Sequence, residues 1–206
     1  MTWAALLALA LWLTTVVVVK TLLRRRWSET AFVALDWRRW TPQDWVASLL
    51  AGLALVSLVG AAVLAAIGSQ LGPQLRPPWP WIIPAGVLIA SAITVMVWSQ
   101  LTMGASWRIG VDRGETTGLV TVGPFHWVRN PIYSAMVVTA IGLAVLVPAV
   151  STFVGTLAMI AFVEWQVRVV EEPYLVHGHG RDYVLWSLKT GRFVPHVGCA
   201  HDHPAI

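Results

Sequence analysis

The sequence predicts an all-α integral membrane bundle of about five transmembrane helices, the last two forming a tight hairpin, followed by a cytoplasmic C-terminal helical segment. Three observations predict it. Of the 206 residues 57% are apolar and only 12% charged, about half the charge share of an ordinary soluble domain. Mean hydropathy is +0.68. The scarce charge is also clustered, since 3–19 and 45–67 contain no Asp, Glu, Lys or Arg. Such a chain cannot cover a water-facing surface, so a soluble globular protein is excluded.

The segments 3–19, 45–67 and 81–101 are each close to the roughly 20 residues that cross about 30 Å of hydrocarbon. The first has no basic residue before it and Lys20, Arg24, Arg25 and Arg26 after it. This is the polarity of an uncleaved anchor with its N-terminus outside, not of a cleaved signal. The second has a helix-start pattern, with Thr41 to cap, Pro42 at the first position and Asp44 to complete a capping box. Between the second and third spans, Gly72, Pro73, Pro77, Pro78, Trp79 and Pro80 read as a short external loop.

The fourth apolar stretch, 132–163, has Pro148 at its middle, followed by Ser151 and Thr152. A turn there divides it into two arms of about fifteen residues. Charge placement supports the hairpin: with five crossings, 13 of the 14 basic residues fall on one side, as the positive-inside rule requires. All ten acidic and all six His residues fall there too. Net charge of +4 therefore reads as topology and not as a nucleic-acid surface. Arg outnumbers Lys 12 to 2, which suits a GC-rich bacterial genome and an inner-membrane location. The 13 Trp suit rings anchored at bilayer interfaces. A single Cys, at 199, excludes an intrachain disulfide and a cysteine-rich metal site.

Two cytoplasmic segments are richer in polar and turn residues than a connection requires. The first is 117–133. Gly118 and Gly123 permit conformations or a close ligand approach that other residues resist. Asn130 before Pro131 is a helix start whose bare amides could receive an anionic group, with Arg129 and Tyr133 flanking it. The bland alternative is a capped re-entry into the membrane with Arg129 snorkelling to lipid phosphate. The second segment is 164–196. Arg168 stands at helical spacing from Glu164, Glu171 and Glu172, which as a solvated ladder would contribute little. Adjacent Glu171 and Glu172 lie directly after the apolar arm, however, and are better placed facing a cation, whether Arg129, Arg168 or a positively charged ligand. Pro173 is expected to bend or restart the helix. His177 with His179, and the tail around Cys199, His201 and His203, lack the second ligand cluster of a zinc site, so no metal is assigned.

At these two segments the chain resembles the isoprenylcysteine carboxyl methyltransferase family and the wider membrane methyltransferase group that includes phospholipid methyltransferases. The first signature stands here as Gly123-Pro-Phe125 followed by Arg129-Asn130-Pro131-Ile132-Tyr133. The second stands as Glu171-Glu172, Leu175, His177, Gly180, Tyr183 and Pro195. The family's His is Asn130 here, which removes an imidazole and keeps a hydrogen-bonding cap. A position often held by a second Tyr is Trp186. No internal repeat or low-complexity linker divides the chain, so a single membrane domain over 1–206 is expected: an N-terminal helical pair and external loop to 80, a methyltransferase-like core at 81–196, of which the resemblance covers roughly 85–196, and a tail at 197–206. The resemblance implies S-adenosylmethionine at the cytoplasmic face, bordered by Gly123, Phe125, Asn130, Pro131, Tyr133, Glu171, His179, Gly180 and Tyr183. Arg129 and Glu172 would sit nearer the reacting groups.

Methyl transfer from a sulfonium is an in-line displacement, which fits the lack of any Ser/His/Asp or Cys/His arrangement. The acceptor expected from the resemblance is a lipophilic or small carboxylate, thiol or amine, with membrane lipid as partner. Two other readings stay open at this point. Membrane sterol reductases share a similar C-terminal region and bind NADPH, although no basic cluster for a 2′-phosphate stands in the second signature. A non-enzymatic carrier or scaffold would bind no nucleotide-like ligand.

Overall fold

The computed structural model describes residues 40–67, 79–104 and 118–200. The expected span at 3–19, the basic run after it, most of the external loop and the tail from His201 lie outside the described residues. Helix α1 runs Pro42–Ala66, α2 Ile82–Met103, α3 Pro131–Leu146 and α4 Val150–Trp165. Helix α4 continues through a π-helical turn, Gln166–Glu171, into α5, Glu172–Ser187. The described residues contain no strand, only the isolated bridges Val128–Gly191 and Val194–Val197.

Helices α1, α2 and the 38-residue rod Val150–Ser187 are long and apolar enough to cross a membrane, and α3 is a shorter apolar helix. The described residues form an all-helical bundle with three helices able to span a membrane, in line with the expected fold class. At the head of α1 the Asp44 carboxylate accepts hydrogen bonds from both the amide and the hydroxyl of Thr41, each at 2.7 Å, which satisfies groups that a helix start otherwise leaves bare.

Helix α1 packs on α4, α4 on α3, and α3 on α2. The seams are made of small residues: Ala54, Ala61 and Ala62 on α1, Ala85 and Ala92 on α2, Ala135 and Ala140 on α3, Ala158 on α4. Many large side chains point outward, with Leu49, Val56, Ile83 and Leu157 each about 70% exposed. Lipid tails are as apolar as leucine, so nothing drives those side chains inward, and close backbone approach through small residues supplies the packing. Gly142 shows how close: a Cβ there would lie 2.5 Å from Cγ1 of buried Ile89. Gly142→Ala is therefore expected to destabilise the bundle by about 1–3 kcal/mol. Thermal unfolding in detergent should show a lower midpoint than for Gly60→Ala, where a Cβ meets nothing within 4 Å; equal midpoints would contradict it.

The expected hairpin forms where Pro148 places it. Helix α3 ends at Leu146, α4 begins at Val150, and the Thr152 hydroxyl closes the turn by accepting from the Ala149 amide at 3.0 Å and bonding to the Val147 carbonyl. Both arms have 16 residues. At Pro173 the rod restarts, one of the two outcomes expected there. The chain restarts as α5 at Glu172 with no sharp break, because Pro173 falls in the first turn, where its missing N–H is not needed. The wider π turn just before it absorbs the mismatch. The sharp kink comes at Gly180, with φ 51° and ψ −125°, a conformation that a residue with a Cβ strongly resists.

Candidate functional site

Among the described residues, a cluster of charged and polar side chains gathers where α3 begins and the rod leaves the bundle. Tyr133, in the first turn of α3, donates its hydroxyl proton to Oε1 of Glu171. The same oxygen accepts from Nε2 of buried Gln166 at 3.1 Å. Gln166 and Glu171 are five residues apart, which in a regular α-helix would place them about 140° apart around the axis. The π turn brings them to one side. Its wider winding is thus what lets a buried amide and Tyr133 hold one carboxylate.

Glu172, one residue on, faces the other way. Arg192 pairs with it bidentately, Nε to Oε1 at 2.7 Å and Nη2 to Oε2 at 3.0 Å, in the planar fork geometry that suits a carboxylate. Nη2 of Arg129 reaches Oε1 at 3.3 Å and donates to the Gly198 carbonyl at 2.9 Å. Arg129 is only 5% exposed, so it does not snorkel to lipid. Its guanidinium carbon lies 6.0 Å from the ring centre of buried Tyr183, which packs edge-on against Trp186. Glu172 hydrogen-bonding to Arg192 raises the guanidinium pKa further above its already high value, so Arg192 stays cationic throughout the working pH range. Arg168 takes no part: it pairs with Glu164, and both are solvent-exposed, an arrangement of little energetic weight.

The segment 190–200 forms a strap across the start of α3. Main-chain bonds run from the Arg129 amide to the Gly191 carbonyl at 2.8 Å and from the Asn130 amide to the Arg192 carbonyl at 3.2 Å. These bonds occupy the amides of Arg129 and Asn130, which directly precede the first residue of α3. Asn130 stands at the N-cap position without capping through its side chain; its Nδ2 turns to the Arg192 carbonyl at 3.1 Å. Ser134 donates to the Phe193 carbonyl at 2.7 Å, and Phe193 packs into the bundle beside Tyr133 and Phe162. The strap offers these carbonyls at fixed positions, so the α3 start bonds to it in place of its own side chain.

Among the residues anticipated from sequence, Arg129, Glu172 and Tyr183 meet in one cluster and Tyr133 and Glu171 in an adjoining one. Asn130 and Pro131 lie between the strap and α3. Phe125 is buried in a 3₁₀ turn, Gly123–His126, whose Gly123 has φ +60° and would put a Cβ 3.1 Å from Thr102 Oγ1. His179 and Gly180 are half-buried at the kink of α5, one turn before Tyr183. Arg192 and Gln166 were not anticipated. Gln166 had a usable signal, an amide at the end of an apolar arm; Arg192 had none, standing 20 residues from the carboxylate it holds. Among the described residues no group of three or more His, Cys, Asp or Glu is placed to hold a metal.

Residues 81–182 match the family model described as phospholipid methyltransferase. The matched segment is similar to this family. It is a membrane methyltransferase group related to the isoprenylcysteine carboxyl methyltransferases. No curated protein matches the chain. The phospholipid methyltransferase segment takes in α2, the α3–α4 hairpin, the π turn and the part of α5 that carries Glu172, His179 and Gly180. Tyr183 lies just beyond it, and the strap with Arg192 well beyond it.

Proposed function

We propose that the protein transfers a methyl group from S-adenosylmethionine to a lipophilic acceptor that reaches the cytoplasmic end of the bundle from the bilayer. The family supports membrane methyltransferase activity and favours it over the nicotinamide-dependent and carrier readings. The observation that carries the cofactor assignment is the buried cluster around Glu172, where two guanidiniums face one carboxylate and Nε of Arg129 is buried without a hydrogen-bond partner. A buried donor left unpaired is costly, and an anionic oxygen, such as the carboxylate of the cofactor's amino-acid part, would satisfy it. The residues therefore fit such a group.

Bound there, S-adenosylmethionine supplies an electrophilic methyl group on a sulfonium. Arg129 orients an anionic oxygen. Glu171, held by Tyr133 and Gln166, offers its remaining lone pairs to a cationic or hydroxyl group. Tyr183 and Phe125 provide apolar surface that excludes water, which together with alignment is most of what an in-line displacement needs. In this reading the N-terminus lies outside and the strap faces the cytoplasm. Acceptors of carboxylate, thiol and amine type all remain compatible with the geometry.

Isothermal titration of the purified protein with S-adenosylhomocysteine tests the assignment. Tyr133→Ala and Glu171→Ala are each expected to weaken binding by about tenfold or more, since each strips a hydrogen bond from a buried group. Absence of binding to the wild-type protein, or unchanged affinity in both variants, would overturn the cofactor assignment.

A further inference from the structure

Arg192 occupies both oxygens of Glu172. Arg129 is left with a single longer approach to Oε1 at 3.3 Å, gives its 2.9 Å bond to the strap carbonyl of Gly198, and keeps Nε unpaired. If Glu172 were free to turn, it would form the closer two-bonded fork with Arg129 through Nε and Nη2. We propose that Arg192 is a positioning residue: it holds Glu172 so that Arg129 stays one donor short and is reserved for an anionic oxygen of the ligand. This rests on the methyl-donor reading, and that oxygen belongs either to the cofactor's carboxylate or to an acid group on the acceptor.

The side chain of Arg192 is not what fastens the strap. Its amide donates to the Val197 carbonyl at 2.8 Å and its carbonyl receives the Asn130 amide and side chain. The neighbouring Gly191 and Phe193 carbonyls hold Arg129 and Ser134. All of these bonds use main-chain atoms of the strap and survive a change of the Arg192 side chain. The two guanidiniums also leave the three-residue cluster with one positive charge in excess. Glu171 forms no ion pair with either guanidinium; its Oε1 accepts from Tyr133 and Gln166 instead.

The test compares wild type, Arg192→Gln and the double variant Arg192→Gln/Glu172→Gln, each as full-length protein in lipid nanodiscs. The probes are S-adenosylhomocysteine, 5′-methylthioadenosine, which lacks the amino-acid carboxylate, and dodecyl phosphate. In Arg192→Gln, Glu172 captures Arg129. Affinity for S-adenosylhomocysteine is expected to fall about tenfold, affinity for methylthioadenosine to stay within about twofold, and the double variant to recover, because a neutral amide no longer draws Arg129 in. That pattern assigns the oxygen to the cofactor. A loss confined to dodecyl phosphate, with the same recovery, assigns it to the acceptor. Affinities unchanged for all three probes, or weakened alike without recovery, overturn the inference and leave the methyl-donor reading standing. Failure of the wild-type protein to bind any of the three overturns both.

Discussion

Replacing Glu172 by alanine is expected to lower the stability of the bundle by about 3 kcal/mol and to abolish binding of S-adenosylhomocysteine. The side chain of Arg129 is 3% exposed and that of Arg192 20%. Removing the carboxylate leaves two like charges facing each other in a site that water hardly reaches. Breaking one partner out of a buried ion pair costs about 3–5 kcal/mol, and the lower end applies because Arg192 can swing toward solvent. Glu172→Gln keeps an oxygen acceptor for one guanidinium and should cost less. Tryptophan fluorescence during thermal unfolding measures both. A midpoint for Glu172→Ala equal to wild type would mean that the cluster carries no net stabilising weight.

Gly191→Ala is expected to detach the strap. A Cβ at that position would lie 1.9 Å from the Val194 carbonyl oxygen and 2.9 Å from the His196 amide nitrogen. Both are backbone atoms of a tight loop, closed by the Val197 amide bonding to the Val194 carbonyl and by His196 at φ 62°. Neither can yield as the end of a flexible side chain would. Ordinary overpacking costs about 1–3 kcal/mol, and here the loop must open instead, with loss of the bonds at Arg129, Asn130 and Ser134. Hydrogen exchange read by mass spectrometry should show residues 190–200 losing protection while α1 and α2 keep theirs. Protection of 190–200 equal to wild type would refute the strap's dependence on this glycine. Detachment also withdraws Arg192 from Glu172, so ligand binding should fall with it.

The bundle was legible because membrane helices announce themselves by length and by lack of charge. The spans beginning near Trp45 and Trp81, the turn at Pro148 and the helix starts at Pro42 and Pro131 all follow from local chemistry: a cap, a proline without N–H, an uninterrupted apolar run. Pro173 marks a helix restart for the same local reason, since it falls in the first turn, but the π turn beside it left no mark in the residue pattern.

The residues of the site were visible one by one. Arg129, Tyr133, Glu171, Glu172 and Tyr183 stood out as polar groups at a membrane boundary, where charge needs a reason. Their partners were not visible. Arg168 and Arg192 look equivalent in the sequence, yet one pairs on an exposed helix face with Glu164 and the other closes on Glu172 from a strap. Asn130 reads as a cap, and becomes instead an anchor for that strap.

The sequence by itself determined that this chain is a helical membrane bundle, because burial in lipid and helix initiation are set by runs of neighbouring residues. Only the tertiary structure decided which carboxylate meets which cation. Those pairings depend on where the strap crosses the start of α3 and on the extra width of one π turn, and both are properties of the packed chain that short-range spacing does not encode.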